Sequence, residues 1–487
     1  MTSSNNNIPD RSKFQAIDSV KHIWTGLDLP PQALESVQLD ESGHELASSY
    51  KLSHLAQASI ALSALAAALN DAQHNSTPVP AINVPLEHAS VEFATEHLYF
   101  LDGKPAENKW GPLGGLHKTK DGYVRIHDNL INHRLALLRI LGLPDDSTRE
   151  QVAEKILDWK SVDLERAGID NKAVIYTLRS EDEWNATPQG QAVPDFPVSI
   201  KKISSGGDAG FPSHMPSGAD RCLRGLRIVE LSRIIAAPVA GKTLAAHGAD
   251  VLWVTSPSLP DRPMTDIDVN RGKRSISIDL NNPKDKEALF ELIKDADVFL
   301  QSYRPGSLAR RGLSPAELIK IRPGLICANL AAWGTEGPWK ENRGFDSMVQ
   351  TASGMNVSEA QHFDSSGATP AKTLPLQALD HASGYLLAAG IAAAVYKRAV
   401  KGGSWQVDVT LAGTMKYLKS LGQLPGKEGF GEGKKLPKEL LTDEMMETKE
   451  SGYGSLKAVK HSARVEGKQP GWDFMPKPHG GYEPRWL

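Results

Sequence analysis

The sequence predicts an α/β protein with a Rossmann-like parallel-sheet domain that binds a ligand and a smaller α+β domain. After residue 225, short β-rich runs alternate with helical segments, a pattern typical of a parallel sheet with right-handed crossovers. The segment 204–220 is rich in Gly, Ser and Pro and predicts a linker. A length of 487 residues favours two or three domains.

Composition excludes several classes of protein. The chain is 40% hydrophobic and 23% charged, with a net charge of −3, so it lacks the basic excess that nucleic-acid partners require. Its cysteines, Cys222 and Cys327, have no ligand spacing, so we expect neither a disulfide framework nor a metal site. The first residues carry no secretory signal, and we find no uninterrupted apolar run of about 20 residues. We expect a cytoplasmic protein without membrane partners.

The elements before the linker follow from periodicity and capping signals. Apolar residues at helical spacing over 45–70 predict a buried helix, which stops at the polar, Pro-containing segment that follows. Ser147 and Glu150 form a capping-box pattern for a helix reaching Trp159. Strands are predicted at 81–86, 122–127 and 174–178.

After the linker, the pattern predicts strands at 226–231, 249–254, 274–280, 297–302 and 324–330, with helices at 239–247 and 283–295. Ligands of such sheets bind at the carboxyl ends of the strands. The turn after the first strand, SRIIAAPVAG, lacks the G-x-G-x-x-G pattern, which argues against a nicotinamide dehydrogenase.

An internal repeat relates the two parts of the chain. HLAQASIALSALAAAL at 54–69 aligns with DHASGYLLAAGIAAAV at 380–395, and INVPL at 82–86 aligns with VDVTL at 407–411. The first copy has His54 where the second has Asp380. Asp380 itself stands where an extended segment turns into a long Ala/Leu/Gly helix, so from the residues alone it is either a helix cap or a reactive carboxylate.

The blocks GLRIVELSRIIAAPVAGKTLAAHGADV, RGKRSISIDL, ADVFLQSYRPGSLARRGLSP, RGFDSMVQTASG and ALDHASGYLLAAGIAAAV stand in one order after residue 225. In this order they resemble the family III CoA-transferases (CaiB/BaiF), which include formyl-CoA and carnitine CoA-transferases and have α-methylacyl-CoA racemase as a relative. The resemblance implies a fused form: a partial, degenerate copy with its small domain (1–203), the linker (204–220), a CoA-binding domain carrying the catalytic Asp (221–425) and a C-terminal return segment (426–487).

The resemblance implies that Asp380 is the nucleophile of a CoA-transferase that works through an aspartyl-CoA thioester. The racemase relatives have histidine at the place of Phe345, so phenylalanine removes one base of two-base racemisation. Asp346 is either a replacement base or the cap of its own helix. His381, next to Asp380, is expected to be structural, since neighbouring helical residues point about 100° apart.

The resemblance also implies contacts to CoA, the only cofactor expected, which enters as an acyl-CoA substrate. Residues expected near CoA or its acyl group are Arg233, Ile234, Ile235 and Ala236 along the pantetheine arm, the cations Arg271, Lys273, Arg274, Arg310 and Arg343, and Phe345 as an aromatic wall. Any of the cations is alternatively a surface charge. Two departures stand out: the segment 253–256 lacks the family's usual lysine, and the glycine-rich covering loop has its candidate at 426–433.

The expected partners are therefore an acyl-CoA and a carboxylic acid, in a homodimer or an intramolecular pseudo-dimer. A 2-methylacyl-CoA racemase and a non-catalytic acyl-CoA-binding protein are the alternatives. The sequence does not identify the acyl group.

Overall fold

The structure is a computed structural model that describes residues 8–39, 43–107, 110–259 and 263–487. In chain order its α-helices are α1 (Ala16–Gly26), α2 (Leu52–Asn75), α3 (Leu86–Glu92), α4 (Ile131–Leu141), α5 (Arg149–Ile156), α6 (Ser161–Asp170), α7 (Glu181–Asn185), α8 (Pro188–Ala192), α9 (Ala236–Ala246), α10 (Pro263–Val269), α11 (Pro283–Lys294), α12 (Pro315–Ile321), α13 (Asp346–Ala352), α14 (Met355–Phe363), α15 (Ala378–Lys401), α16 (Leu411–Ser420) and α17 (Pro437–Leu440).

The strands are β1 (Val37–Gln38), β2 (Ile82–Asn83), β3 (Tyr99–Leu101), β4 (Lys104–Pro105), β5 (Gly115–Lys118), β6 (Tyr123–Ile126), β7 (Ile175–Thr177), β8 (Val198–Ser204), β9 (Arg227–Leu231), β10 (Asp250–Thr255), β11 (Arg274–Ser277), β12 (Val298–Gln301), β13 (Ile326–Ala331), β14 (Ser404–Thr410), β15 (Met446–Ser451), β16 (Gly454–Val459) and β17 (Arg464–Val465).

A seven-stranded sheet forms the centre of the fold, in the order β11-β10-β9-β12-β13-β14-β8. All pairs from β11 to β14 are parallel, and β8 adds an antiparallel edge. The α/β class predicted from the alternating pattern is confirmed. The strand at the β8 edge was not predicted: it comes from the chain before the linker and pairs Val198 with Val409.

Helices α2 and α15 are the two long core helices, and they pack against each other. Each is 24 residues long and has the hydropathy of a membrane span, but each is buried inside the protein. Asn70 of α2 donates a hydrogen bond to the carbonyl of Ala392 in α15 at 2.8 Å. The helix predicted at 45–70 is present, but it spans Leu52–Asn75. It continues into the polar segment and is followed by its C-cap, Ser76, whose φ is 55°.

The first and last parts of the chain share small sheets. Strands β3 and β4 join β15 and β16, and β17 pairs with β2. Strands β5, β6 and β7 form a separate antiparallel sheet that packs with α4, α5 and α6 around its own apolar core. Because α13 contacts both β6 and β7, this small sheet lies directly beside the N-terminal region of α15.

Candidate active site

Asp380 lies in the first turn of α15, at the third helical position. The N-cap position of the helix is Gln377. The simpler interpretation of the sequence, in which Asp380 is the helix cap, is therefore wrong. Its side chain is 6% exposed, and no donor within the described ranges is within hydrogen-bond distance of its carboxylate. Asp380 is therefore a buried carboxylate that accepts no hydrogen bond from the described residues.

The backbone N–H groups at the N-terminus of α15 are bonded by a side chain from outside the helix, that of Asp346. Its Oδ2 accepts hydrogen bonds from the backbone N–H groups of Leu379 at 2.8 Å and Asp380 at 3.1 Å. Its Oδ1 accepts one from the amide of Gln350. The sequence suggested that Asp346 caps its own helix, α13, but its side chain instead serves the helix that carries Asp380. Burial raises the pKa of Asp346 to about 6, although these hydrogen bonds oppose the rise.

A third carboxylate, Glu96, reaches the same region from the first part of the chain. It lies in a one-turn 3₁₀ helix, and its Oε2 is 2.8 Å from Nε2 of His381. Burial raises the pKa of Asp380 well above its ordinary value, and the negative charges of Asp346 and Glu96 raise it further. Asp380 therefore holds its proton more firmly than an exposed aspartate, and its ionised form is a correspondingly stronger base.

His381 has the structural surroundings expected from the sequence. It is fully buried, bonded to Glu96 and stacked on Phe93 with ring centroids 5.6 Å apart. The segment that contributes Glu96 and Phe93 thus packs on the first turn of α15 and fixes the orientation of the helix at Asp380.

Phe345 is partly buried and is covered by histidines from the small domain of the first part. The ring of His127 stacks on it with centroids 3.8 Å apart and planes 3° from parallel, and His133 meets it edge-on at 5.9 Å. Burial, then Arg343 and Arg304, lowers the pKa of His133 to about 4, so its ring is neutral. The residue expected as an aromatic wall is therefore part of an aromatic cluster formed by two distant segments.

A cavity of about 460 Å³ lies between the small domain and the entry to α15. It is lined by His97, Trp110, Gly111, Gly114, Gly115, Arg125, Ile126, His127, Asp128, Asn129, Ser347, Gln350, Thr373, Leu374, Pro375, Leu376 and Gln377. Gln377 is three residues before Asp380, so the cavity comes within about one helical turn of Asp380, which is not itself a lining residue.

The glycine-rich wall of this cavity, Gly111–Gly115, was missed by the sequence reasoning. A side chain at Gly111 or Gly114 would collide with the carboxylate of Asp128, so both positions need glycine. In the segment 426–433, which the sequence favoured, Gly429 lies against the backbone of Ser48 and Ser49. The signal in the sequence was the motif WGPLGG directly before a strand.

The turn after β9 holds Arg233, Ile234 and Ile235, and Ala236 begins α9, at the carboxyl end of a strand that lies inside the sheet between β10 and β12. Ile234 has φ of 74°, a left-handed conformation that is strained for a β-branched residue. Such strain concentrates at functional sites. The turn expected along the pantetheine arm is thus one of the unusual backbone positions of the protein.

A second cavity, of about 260 Å³, opens at the carboxyl ends of β9, β10 and β11. Leu231, Ser256, Tyr303 and Arg311 are among its lining residues. Arg311 donates to the side chain of Asn281 at 3.0 Å. Arg311 thus places a cation in the wall of this cavity. Ser256, which belongs to the segment that lacks the family's usual lysine, lines the same cavity.

Three of the predicted cations are engaged inside the protein. Arg271 bonds Asp268 at 2.7 Å, Lys273 bonds Glu230 at 2.8 Å, and Arg274 bonds Asp250 at 2.7 Å. Each of the six side chains is at most 8% exposed. These contacts are those of structural ion pairs, and they leave no free cation at these positions for a phosphate.

The other two predicted cations are more accessible. Arg310 is exposed beside the turn at Gly306, and Arg343 is half-buried just before Phe345. Burial, followed by the charge of Arg304, lowers the pKa of Arg343. The exposed Arg304 thus adds a cation that the sequence analysis did not select.

Together these features define an α/β protein with one cavity at the carboxyl ends of β9, β10 and β11 and a larger cavity within about one helical turn of the buried Asp380. Residues 223–427 match the model of CoA-transferase family III. The recognition drawn from the sequence motifs is thereby confirmed.

The chain is similar to an acyl-CoA transferase of Gibberella moniliformis, at 29% identity over 367 residues, which cover 68% of this chain and 64% of that relative. It is 33% identical over 205 residues to a probable fatty acyl-CoA transferase of Mycobacterium tuberculosis, covering 39% and 50%. A CaiB/BaiF family protein from Brucella suis matches with 30% identity and a TM-score of 0.36, covering 40% of this chain and 54% of that one. The matches span less than two thirds of these relatives.

Proposed function

We propose that the protein is an enzyme that moves CoA between carboxylic acids, with Asp380 as the nucleophile. The observation that carries the proposal is the carboxylate of Asp380 itself: buried, without a hydrogen-bond donor in the described part of the chain, and about one helical turn from Gln377, which lines a cavity. A merely structural aspartate in this position would cap the helix, and Asp346 already does so. The names of the similar proteins support acyl-CoA as the substrate class.

The proposed reaction proceeds through the single carboxylate of Asp380 and needs no net proton transfer. The ionised Asp380 attacks the thioester carbonyl, the C–S bond breaks, and a mixed anhydride and the CoA thiolate form. The thiolate attacks the aspartyl carbonyl and releases the donor acid, leaving an aspartyl-CoA thioester. The acceptor carboxylate then attacks this thioester, and the expelled thiolate attacks the acceptor's acyl carbon and frees Asp380.

The surroundings of Asp380 favour the attacking step once the carboxylate is ionised. The flanking charges of Asp346 and Glu96 raise the basicity of the ionised carboxylate, and nucleophilicity increases with basicity. The helix N-terminus places backbone N–H groups near the site, and Asp346 accepts those of Leu379 and Asp380. The raised pKa of Asp380 also means that a fraction of the enzyme molecules carries a protonated Asp380, which cannot attack the thioester.

For CoA, we propose the cavity at the ends of β9, β10 and β11 as the site of the nucleotide, with the strained turn at Ile234 along the pantetheine arm. Arg310, Arg311 and Arg343 are the candidates for phosphate contacts, because none of them forms an ion pair with a carboxylate in the part of the chain that the structure describes. No metal or redox group takes part in the proposed reaction.

We further propose that each chain forms an intramolecular pseudo-dimer with one reactive centre. The first part of the chain supplies Glu96 and His127 to the Asp380 site. At the matching position of α2, third in the helix, His54 is buried and bonded to Ser19 at 2.7 Å. Without a carboxylate there, the first copy serves as the cover of the second copy's site.

The test is the mass of the intact protein after brief incubation with a panel of acyl-CoAs, followed by trapping with hydroxylamine or borohydride. We expect one CoA-sized adduct per chain in the wild type and none in Asp380→Ala. His54→Gln, which changes the matching position in the first copy, is the control and should keep the adduct. CoA binding without any adduct would overturn the proposal in favour of a binding protein.

The racemase alternative has one observation in its favour, because His127 places an imidazole on the face of Phe345, the position that carries histidine in racemases. Exchange of the α-hydrogen of a 2-methylacyl-CoA in D₂O, measured by mass, decides between the two. Exchange at a rate comparable with CoA transfer would support the racemase.

A further inference from the structure

The cavity beside Asp380 contains a guanidinium group that the chemistry proposed above does not use. Arg125 is on β6, and its Nε donates a hydrogen bond to Oγ1 of Thr351 on α13 at 2.9 Å. This bond fixes one edge of the guanidinium. Its terminal amino groups have no acceptor among the residues described, and no carboxylate there lies within ion-pair distance of them.

The charge of Arg125 is not compensated by its neighbours. Asp128, the carboxylate that lines the same cavity, accepts a hydrogen bond from the backbone N–H of Leu113 at 2.8 Å and is not paired with Arg125. Burial lowers the pKa of Arg125, and the nearby charge of Arg149, a second cation, lowers it further. An uncompensated cation in a mostly buried position is costly unless an anion joins it.

The shape of the group indicates which anion. A guanidinium held at Nε presents a planar fork of two amino groups, which matches the two oxygens of a carboxylate in a bidentate pair. The wall of the cavity also carries the hydroxyl group of Ser347, and His127 and Asn129 line it as well. The cavity of about 460 Å³ is large enough for a small organic acid.

An anion paired with Arg125 would lie some distance from the carboxyl group that reacts at Asp380. Asp346, at the start of α13, contacts the backbone of Asp380, and Thr351 lies five residues further along the same helix. Five residues correspond to about 7.5 Å along a helix axis. The carboxylate held by Arg125 is therefore not the one that reacts with Asp380.

We propose that the acid accepted by this site is a dicarboxylic acid, one carboxylate reacting at Asp380 and the other paired with Arg125. This inference rests on the proposed CoA transfer for the role of Asp380. The pairing with Arg125 can be measured without turnover.

The test compares matched acceptors, succinate with butyrate and glutarate with valerate, for wild type, Arg125→Gln and Arg125→Lys. We expect Arg125→Gln to raise KM for the dicarboxylates by about 10- to 100-fold with little change in kcat, because it removes a charge-assisted bidentate pair. KM for the monocarboxylates should stay the same. Arg125→Lys should recover part of the loss, and Arg139→Gln, an exposed arginine of the same small domain, should have no effect.

Direct binding of glutarate, measured by calorimetry on the CoA-free protein, separates the two proposals. Binding that depends on Arg125, in a protein that forms no aspartyl-CoA adduct, would refute the proposed transfer and keep the dicarboxylate site. An adduct with equal use of monocarboxylates, or an equal loss for both acid types in Arg125→Gln, would refute the dicarboxylate site and keep the transfer.

Discussion

The carboxylate of Asp346 accepts a hydrogen bond from the backbone N–H of Asp380 at 3.1 Å, so one buried acid caps the helix that presents another. The two acids come from different elements, α13 and α15, and among the described residues neither forms an ion pair with a Lys or Arg side chain. Their titrations are therefore linked, and the charge of one sets how easily the other ionises.

Asp346→Asn tests this linkage. Removing the charge of Asp346 should lower the pKa of Asp380, because Asp346 is one of the groups that raise it. The acidic limb of kcat/KM against pH, which reports the free enzyme, should move to lower pH. Glu359→Gln is the matched control, since Glu359 is also buried with a raised pKa but bonds Ser49. An acidic limb that does not move in Asp346→Asn would contradict the linkage.

Glu96→Gln should move the acidic limb in the same direction but by less, because Asp346 has the larger effect on the pKa of Asp380. The amide oxygen of the glutamine can still accept a hydrogen bond from His381, so the helix should keep its position. Glu92→Gln is the comparison: Glu92 is likewise buried and bonded to a histidine, His461, at 2.7 Å. It should lower stability and leave the pH profile as in the wild type. Equal shifts in both variants would show that the effect is structural.

Asp380→Asn should abolish transfer and stabilise the fold. The folded state holds the Asp380 proton above its ordinary pKa of 3.8, so this group's contribution to stability is lost as pH rises from 3.8 through the raised pKa. At pH 7 the variant should gain on the order of 1–3 kcal/mol of unfolding free energy, since it removes a buried charge that lacks a donor. Below about pH 4 the gain should vanish. Urea titrations at several pH values measure it, and a less stable variant at pH 7 would contradict the prediction.

Local patterns in the sequence predicted the elements of the central sheet well. The strands β9 to β13 lie within one or two residues of the predicted runs at most ends, because buried parallel strands appear as continuous apolar segments. The capping box was predicted one residue early: Thr148 pairs with Gln151, while the hydroxyl of Ser147 donates to the carbonyl of Pro144. Both Ser147 and Thr148 fit the pattern, and only the chain geometry distinguishes them.

The surroundings of the site were less predictable, because they depend on residues far apart in the chain. His381 and Glu96 are 285 positions apart, and His127 follows β6 while Phe345 directly precedes α13. No periodicity in the sequence records such contacts. The cations were predicted by residue type alone, and burial then separates Lys273, whose ion pair is internal, from the exposed Arg310.

Lys273 and Arg310 should accordingly respond in opposite ways to loss of their charge. Lys273→Met leaves Glu230 buried without its partner and should cost about 3–5 kcal/mol of unfolding free energy. CoA affinity of the protein that stays folded should not change. Arg310→Gln should leave thermal unfolding unchanged and weaken CoA binding several-fold, as expected for a lost phosphate contact. Calorimetric titration with CoA and thermal melts measure both effects.

The double variant Lys273→Met with Glu230→Gln gives the internal check on this last prediction. Removing both charges should recover part of the stability lost in Lys273→Met, because burial already disfavours the charged forms of both residues. Weakened CoA binding in a Lys273→Met protein that melts like the wild type would instead assign Lys273 to the ligand. In that case the ion pair with Glu230 would have to open when CoA binds.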